Sequence, residues 1–415
     1  MSGLAHLLLD DEYNVRGLDK EFDDLYSYNL RKRGVVIDGE NSKEYLKSDV
    51  VIIGHSFMNK DLLKELDDNH MMWFEYNEFL DFYIDDNKLV SICGSHGKTT
   101  LVNILKEIVP NTSYLSGDGK GRKKEYDQFF FLESCEYKNH FWTYNPKEVL
   151  ITNIEYDHVD YFKSEIEYIS SFNHFIKNAN KVYINHQYRN KIEHQNIVTF
   201  GLNNEADYYA TIKERKMNSI TIDVWHEAVK IGEFIIMNLG DHFVELFVSA
   251  IAFMNEHNIP LNDVQINMNK FVPSVQRFNE EEIEGNFINL DYAHHPSQII
   301  NNYEICKEKH QKHIKIAIFK GDRLSRITYF RKEIIDALSL FDKAYVLPLA
   351  IMENNIKEDS MILCSEKIKY IENISKLKEI ILPTKKYSIS LMSSKILNKE
   401  REYLTNYLKL FEFKN

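Results

Sequence analysis

One stretch limits what this chain can become more than any other: Leu89-Val-Ser-Ile-Cys93-Gly94-Ser95-His96-Gly97-Lys98-Thr99-Thr100. A short apolar run ends at a glycine-bracketed loop. Leu101, Val102, Leu105, Ile108 and Val109 then recur at helical spacing. Strand, tight loop and helix in that order make a phosphate site for three separable reasons. Gly94 and Gly97 allow backbone angles that turn N–H groups inward. The helix start adds oriented amides and the positive end of a dipole. Lys98 supplies a mobile charge for terminal phosphates, and the hydroxyl of Thr99 or Thr100 suits a hard cation such as Mg2+. The spacing departs from the general phosphate-loop pattern, with Ile92 where its first glycine would stand. From these residues alone, the alternative is an ordinary βα turn in which a Thr caps the helix.

At 415 residues the chain exceeds one ordinary core and predicts two or three domains. Its 63 acidic and 51 basic residues give a formal charge of -12, which argues against nucleic acid or an anionic membrane as partner. Cys93, Cys135, Cys306 and Cys364 form no Cys-x-x-Cys pair, so neither a zinc site nor a disulfide framework is indicated. The start carries no basic leader, and no apolar stretch is long enough to span a bilayer; a cytoplasmic protein is expected.

Short β-type runs occur at 35–37, 50–53, 89–93, 129–132, 149–152, 182–184, 314–319 and 344–349. Helix-length segments separate most of them, which predicts an α/β fold with parallel sheets. Residues 212–224 and 229–237 alternate like strands, and 243–254 reads as a buried helix. The acidic run at 278–286 reads as a joint between domains.

Three further clusters close apolar runs, where open α/β sheets collect ligands. In Glu133-Ser-Cys-Glu-Tyr137, Glu133 either holds a phosphate-bound magnesium or sits in a solvated loop. In Thr152-Asn-Ile-Glu-Tyr-Asp-His158-Val-Asp160, His158 is either a structural donor or a member of a metal site among carboxylates. In Asp291-Tyr-Ala-His294-His295-Pro296, Asp291 either binds a ribose hydroxyl or orients a base, and His294 or His295 meets an anionic substrate; a capping Asp and a Pro-terminated turn account for the same residues.

Taken together, Gly94 to Thr100, Glu133 to Phe141, Thr152 to Asp160, Gly240-Asp-His242, Arg277-Phe278 and Asp291 to Pro296 resemble the Mur ligases in order and spacing. The nearest branch is the one that joins L-alanine to UDP-N-acetylmuramate in Gram-positive bacteria. The resemblance covers nearly the whole chain. It implies a three-domain α/β architecture: a Rossmann-like UDP-sugar domain over 1–88, a central P-loop ATPase domain over 89–283 and a Rossmann-like C-terminal domain over 284–415. It implies an ATP- and Mg2+-dependent ligase of peptidoglycan precursor synthesis, working through an acyl phosphate. Lys98 would hold the β- and γ-phosphates within the loop Gly94, Ser95, His96, Gly97, Thr99 and Thr100. Thr99, Glu133 and His158 would organise magnesium, and Arg277 with Asp291 would reach the nucleotide. His294, His295 and Arg326 would lie on the substrate side. An exposed Lys98 would leave the fold intact when replaced by Ala.

The chain departs from that pattern at several places. Relatives open with a strand and a Gly-rich loop for the UDP diphosphate, whose last residues align with Met1-Ser2; an upstream start or a lost UDP site is expected. Leu246 replaces an Asn that reads adenine, and Gln276 replaces the first Arg of an Arg-Arg-Phe motif. Lys320-Gly-Asp322-Arg-Leu-Ser-Arg326 replaces Gln-Pro-His-Thr-Phe-Ser-Arg, and Met392-Ser-Ser-Lys-Ile396 replaces a Gly-Ala-Gly-Asp turn. These departures keep two rivals open: a Mur-type ligase with another acceptor or amino acid, and a degenerate paralogue that binds nucleotide without catalysis.

Overall fold

A computed structural model describes residues 1–20, 24–349 and 356–410. The chain groups into two compact units. The first comprises Met1–Glu155, Glu165–Tyr209 and Leu246–Phe271; the second comprises Tyr156–Ser164, Ala210–Glu245 and Val272–Asn415.

In the first unit, helix α1 (Ser2–Asp10) precedes two small parallel pairs. These are β1 (Arg16–Asp19) with β2 (Val36–Gly39), and β3 (Val50–Ile53) with β4 (Met72–Glu75). Helices α2 (Asp24–Lys32), α3 (Lys60–Asp68) and α4 (Tyr76–Tyr83) accompany them. The main sheet is built from β5 (Leu89–Cys93), β6 (Thr112–Leu115), β7 (Gly121–Arg122), β8 (Phe129–Glu133), β9 (Glu148–Ile151), β10 (Lys181–Asn185) and β11 (Ile197–Gly201). The spatial order runs β11-β10-β9-β5-β8-β6, all parallel, with β7 antiparallel at the edge. The first residues of β12 (Tyr208–Arg215) pair with β11.

Every residue of β5 is buried, which is why its sequence reads as an unbroken run and not an alternating one. Helix α5 (Lys98–Ile108) buries Leu101, Val102, Leu105 and Ile108, the stripe its periodicity predicts. Helices α6 (Glu165–Ile176), α7 (Asp241–Glu256) and α8 (Val264–Met268) complete the unit, although Asp241 to Glu245 group with the second. Strands β5, β8 and β9 are neighbours and run the same way, so the loops leaving Cys93, Glu133 and Ile151 emerge at one edge.

The second unit contains the antiparallel hairpin β13 (Ser219–His226) and β14 (Val229–Met237). Residues 212–224 are thus two strands and not one; the break is a turn at 216–218 closed by Lys216 N–H on Ser219 O (2.8 Å). A six-stranded sheet follows, from β15 (Asn279–Ile283), β16 (Asn286–Asp291), β17 (Ile314–Phe319), β18 (Lys343–Val346), β19 (Ile368–Tyr370) and β20 (Tyr387–Met392). Its order is β15-β16-β20-β17-β18-β19, parallel except for β15. Its helices are α9 (Pro296–Lys309), α10 (Leu324–Tyr329), α11 (Arg331–Leu338), α12 (Ile356–Met361) and α13 (Asn398–Lys409). Ile316 and Ile318 of β17 join one apolar cluster with Leu404 and Leu408, while Ala317 and Phe319 join another with Ile299 and Ile334. The strand alternation divides the two sides.

The acidic run at 278–286 is therefore largely a strand. Two of its four carboxylates are partnered: Glu280 meets Lys309 (2.7 Å) and His310 (3.2 Å), and Glu281 meets Arg401 (2.9 Å). Strand β20, whose Tyr-Ser-Ile-Ser-Leu-Met sequence looks too polar for a sheet centre, lies between β16 and β17 with all six residues buried. Ser388 and Ser390 face a polar stripe of α9. Asn302 donates to Asn289 Oδ1 (2.9 Å), Asn289 donates to Ser390 Oγ (2.9 Å), and His310 Nδ1 lies 2.9 Å from Ser388 Oγ. All four cysteines are free thiols. Among the described residues, no helix is long and apolar enough to cross a membrane.

Candidate functional site

The loop after β5 is tied down by the segment after β9. Ser95 N–H donates to Asn153 O (3.3 Å) and His96 N–H to Asn153 Oδ1 (2.9 Å); Asn153 Nδ2 returns a bond to His96 O (3.0 Å). Ser95 Oγ donates to Glu155 O (2.6 Å) and lies 2.8 Å from the hydroxyl of Tyr168. Gly94 has φ +126, and a Cβ there would stand 2.3 Å from Thr152 Oγ1, so geometry and space both demand glycine. Gly97 has φ +84 and faces Leu246, whose Cδ1 would be 3.1 Å from an added Cβ. The first helical bond of α5 runs from Leu101 N–H to Gly97 O (2.9 Å), so the amides of Lys98, Thr99 and Thr100 precede the ladder.

Lys98 is not the exposed side chain its loop position suggests. Its Nζ donates to Glu136 Oε2 (2.8 Å) and to the carbonyl of Gly94. Burial alone would lower the ammonium pKa, but Glu136 outweighs it and holds the group above the ordinary lysine value. One residue of β8 supplies the second pair: Thr99 Oγ1 donates to Glu133 Oε1 (3.0 Å), and Gly117 N–H binds the other oxygen. A Cβ on Gly117 would lie 2.5 Å from Glu133 Oε1. The structure thus gathers Gly94, Ser95, His96, Gly97, Lys98, Thr99, Thr100 and Glu133 at the edge where β5 and β8 end. A hydroxyl and a carboxylate side by side are the oxygen donors magnesium prefers, and the Lys98 ammonium and helix start suit a polyphosphate.

Glu136, Asn153 and Gly117 were not singled out from sequence. For Glu136 the signal existed, a second carboxylate three residues after Glu133, but nothing in the spacing says which of the two reaches the lysine.

The remaining expected residues belong to the second unit. Asp291 closes β16 and accepts from Asn302 Nδ2 (2.7 Å). Burial pushes its carboxyl pKa up, against the opposing influence of Asn302 and of Arg277. The Arg277 guanidinium lies 4.4 Å over the ring of Tyr292, flanked by Gln276 (φ +62) and Phe278 (φ +47). His294 donates through Nδ1 to Tyr292 O (2.8 Å); burial and then nearby Arg326 bring its pKa down to about 4. His295 caps α9 with Gln298, and its Nδ1 lies 2.9 Å from Ser297 Oγ.

Arg326 is wholly engaged. Nε donates to Asp157 Oδ1 (2.9 Å) and a terminal nitrogen to Asp157 Oδ2 (3.1 Å), while the other nitrogen reaches both oxygens of Asp322 (2.8 and 2.9 Å). All three side chains are buried. Detaching one partner from such a set costs about 3–5 kcal/mol, more than the about 1.5–3 kcal/mol that one hydrogen bond to a charged group returns. His158 follows Asp157 with φ +53, its N–H bonded to Asp157 Oδ1 (2.7 Å).

Residues 120–254 match the family profile described as Mur ligase middle domain. The match is to this stretch and not to the whole chain. The phosphate loop lies just ahead of it. Among solved structures, the UDP-N-acetylmuramate-alanine ligase of Thermotoga maritima aligns with TM-score 0.79 at 19% identity, covering 98% of this chain and 96% of that one. The murein peptide ligase of Psychrobacter arcticus aligns at 0.67 and 18% identity (99% and 96%). The MurF ligase of Thermotoga maritima, solved with ADP, aligns at 0.64 and 15% (100% of each). The fold is the multi-domain α/β fold of the Mur ligases, and at these identities the likeness is one of fold. Within the matched stretch sit Glu133, Glu136 and Leu246; Arg277, Asp291, Asp322 and Arg326 follow it.

Proposed function

We propose that this protein is an ATP-dependent ligase that joins L-alanine to the carboxylate of UDP-N-acetylmuramate, with three domains divided near residues 88 and 283 and a cytoplasmic place in peptidoglycan precursor synthesis. The observation that carries the reading is the set Lys98, Glu136, Thr99 and Glu133 at one strand edge, its two carboxylates inside the stretch that matches the Mur ligase middle domain profile. In the proposed reaction a substrate carboxylate oxygen attacks the γ-phosphorus of ATP and ADP leaves. The amine then attacks the acyl carbon, phosphate departs and the amine proton passes to solvent. Two anions must approach each other in the first step, so fixed positive charge and oriented amides do most of the work.

In this chain Lys98 would exchange Glu136 for the β- and γ-phosphates, with Glu136 holding the ammonium charged and aimed while the site is empty. The amides of Lys98, Thr99 and Thr100 would receive phosphate oxygens. Thr99, Glu133 and His158 would hold Mg2+, which supplies charge neutralisation of the phosphates. Arg277 and Asp291 would meet the nucleotide, and His294 or His295 the substrate side. Leu246 brings an apolar contact to Gly97 where an adenine-reading Asn is expected, which costs about 1–2 kcal/mol of nucleotide binding and some base selectivity.

A second reading keeps the reaction and changes the amino acid or acceptor. It is favoured by Arg326, which two carboxylates already occupy, and by fold likeness spread across ligases of different names. The test is ADP formation with ATP, Mg2+, UDP-N-acetylmuramate and L-alanine. Turnover dependent on all four supports the first reading; turnover only with another acceptor or amine supports the second. Nucleotide binding without turnover on any pair returns the chain to the degenerate paralogue.

A further inference from the structure

We propose that Arg326 is a positioning residue and not a receptor for a substrate carboxylate: anchored by Asp322, it grips Asp157 and so holds the turn that presents His158. The inference deepens the ligase reading for its kinetic consequences, while its structural half stands without it.

The turn is built around one carboxylate. Asp157 Oδ1 accepts both from Arg326 Nε (2.9 Å) and from the His158 amide (2.7 Å). His158 O in turn accepts from the amides of Tyr161 (2.8 Å) and Phe162 (3.0 Å), and the Tyr156 hydroxyl closes the segment on Phe162 O (2.6 Å). His158 has φ +53, a conformation a non-glycine residue keeps when its surroundings over-determine it. The over-determination comes from α10 and its neighbours. Arg323 pairs with Asp160 (3.1 Å), the Tyr156 ring meets Tyr329 and Phe330 edge-on, and Val159 packs on the apolar cluster of Phe319 and Phe330.

Arg326 is committed by both arms of its fork, and only 4% of its surface is exposed. A substrate carboxylate would have to displace Asp157 or Asp322 and strand it without a counter-charge. Asp322 stands where the resembled motif carries His, four residues before the Arg, and it reaches Arg326 from the bend just ahead of α10. A histidine there could not supply a bidentate carboxylate. The second Asp is therefore this chain's own device for keeping the guanidinium fixed on Asp157.

The experiment is amide hydrogen exchange on the full-length protein, wild type against Arg326→Lys, which keeps the charge and loses the fork. The amides of His158, Tyr161 and Phe162 should exchange at least tenfold faster, with β17 unchanged. With ligase substrates, kcat should fall at least tenfold and the KM for the amino acid stay within threefold. Exchange within twofold of wild type at those three amides overturns the proposal, as does a tenfold rise in that KM at unchanged kcat. Should Arg326→Lys fail to fold, Asp157→Asn is measured by the same criteria. If no substrate pair turns over, the exchange result decides alone, and the ligase reading fails without it.

Discussion

Lys98 Nζ sits 2.8 Å from Glu136 Oε2, in a pair whose side chains are 14% and 1% exposed. That makes the phosphate-loop lysine part of the fold as well as of the site, and it corrects the expectation that Lys98→Ala would be structurally silent. Removing one member of a buried pair costs about 3–5 kcal/mol. Lys98→Ala should therefore lose both ATP-dependent turnover and stability of that order in urea unfolding. The double variant Lys98→Met with Glu136→Gln should regain most of the stability and none of the turnover. Full stability in Lys98→Ala would show that the pair contributes nothing.

Gly117→Ala tests the other carboxylate. Its new Cβ would fall 2.5 Å from Glu133 Oε1, so Glu133 must move away from Thr99. Turnover should drop at least tenfold and the Mg2+ concentration for half-maximal rate should rise. A Mg2+ requirement equal to wild type would place Glu133 outside the metal site.

Thr99→Val removes the hydroxyl while keeping shape. Its expected effect is on metal-dependent nucleotide binding: ADP should bind about as well as wild type without Mg2+ and at least tenfold more weakly with it, as read by calorimetry. Equal weakening with and without the ion would assign Thr99 to the phosphate and not to the metal.

Acid should destabilise the protein before its carboxylates titrate. Burial takes His294 from the ordinary 6.5 down to about 4. Between those values the unfolded chain binds protons that the folded chain refuses, so stability is full above pH 6.5 and falls as pH drops toward 4. The loss is on the order of 1–3 kcal/mol for this histidine. Asp291, raised by burial, acts with the opposite sign, so the clean readout is the difference from His294→Gln. That variant should lose less stability between pH 7 and pH 5 than wild type; identical slopes would rule His294 out as the source.

The sequence told most where one residue type has one use. Strands at 50–53, 89–93 and 314–319 match β3, β5 and β17 to the residue; β5 is buried throughout and β17 over its last four residues, so their apolar runs leave little choice. The loop glycines and the Thr99–Glu133 neighbourhood were likewise readable from strand ends. What stayed hidden was pairing. Glu133, Glu136, Glu155, Asp157 and Asp160 crowd two short stretches, and only three-dimensional packing shows that Glu136 takes Lys98 and Asp157 takes Arg326. Strand β20 was missed because Ser388 and Ser390 look like loop residues until the polar stripe they serve is in place. The acidic β15 was read as a joint for the same reason: its counter-ions, Lys309 and Arg401, come from distant parts of the chain.

That polar stripe has a mechanical consequence. Apolar ridges let a helix slide or rotate by small amounts at little cost, whereas Asn302, Cys306 and His310 contact particular atoms of β16 and β20 at intervals of four residues. Together they act as index marks that admit one setting of α9. His295, at the far end of the helix about 22 Å from His310, inherits that setting. A change at His310 would reach the histidine pair as a misregistration along a rigid rod, with every local contact of His294 and His295 still intact.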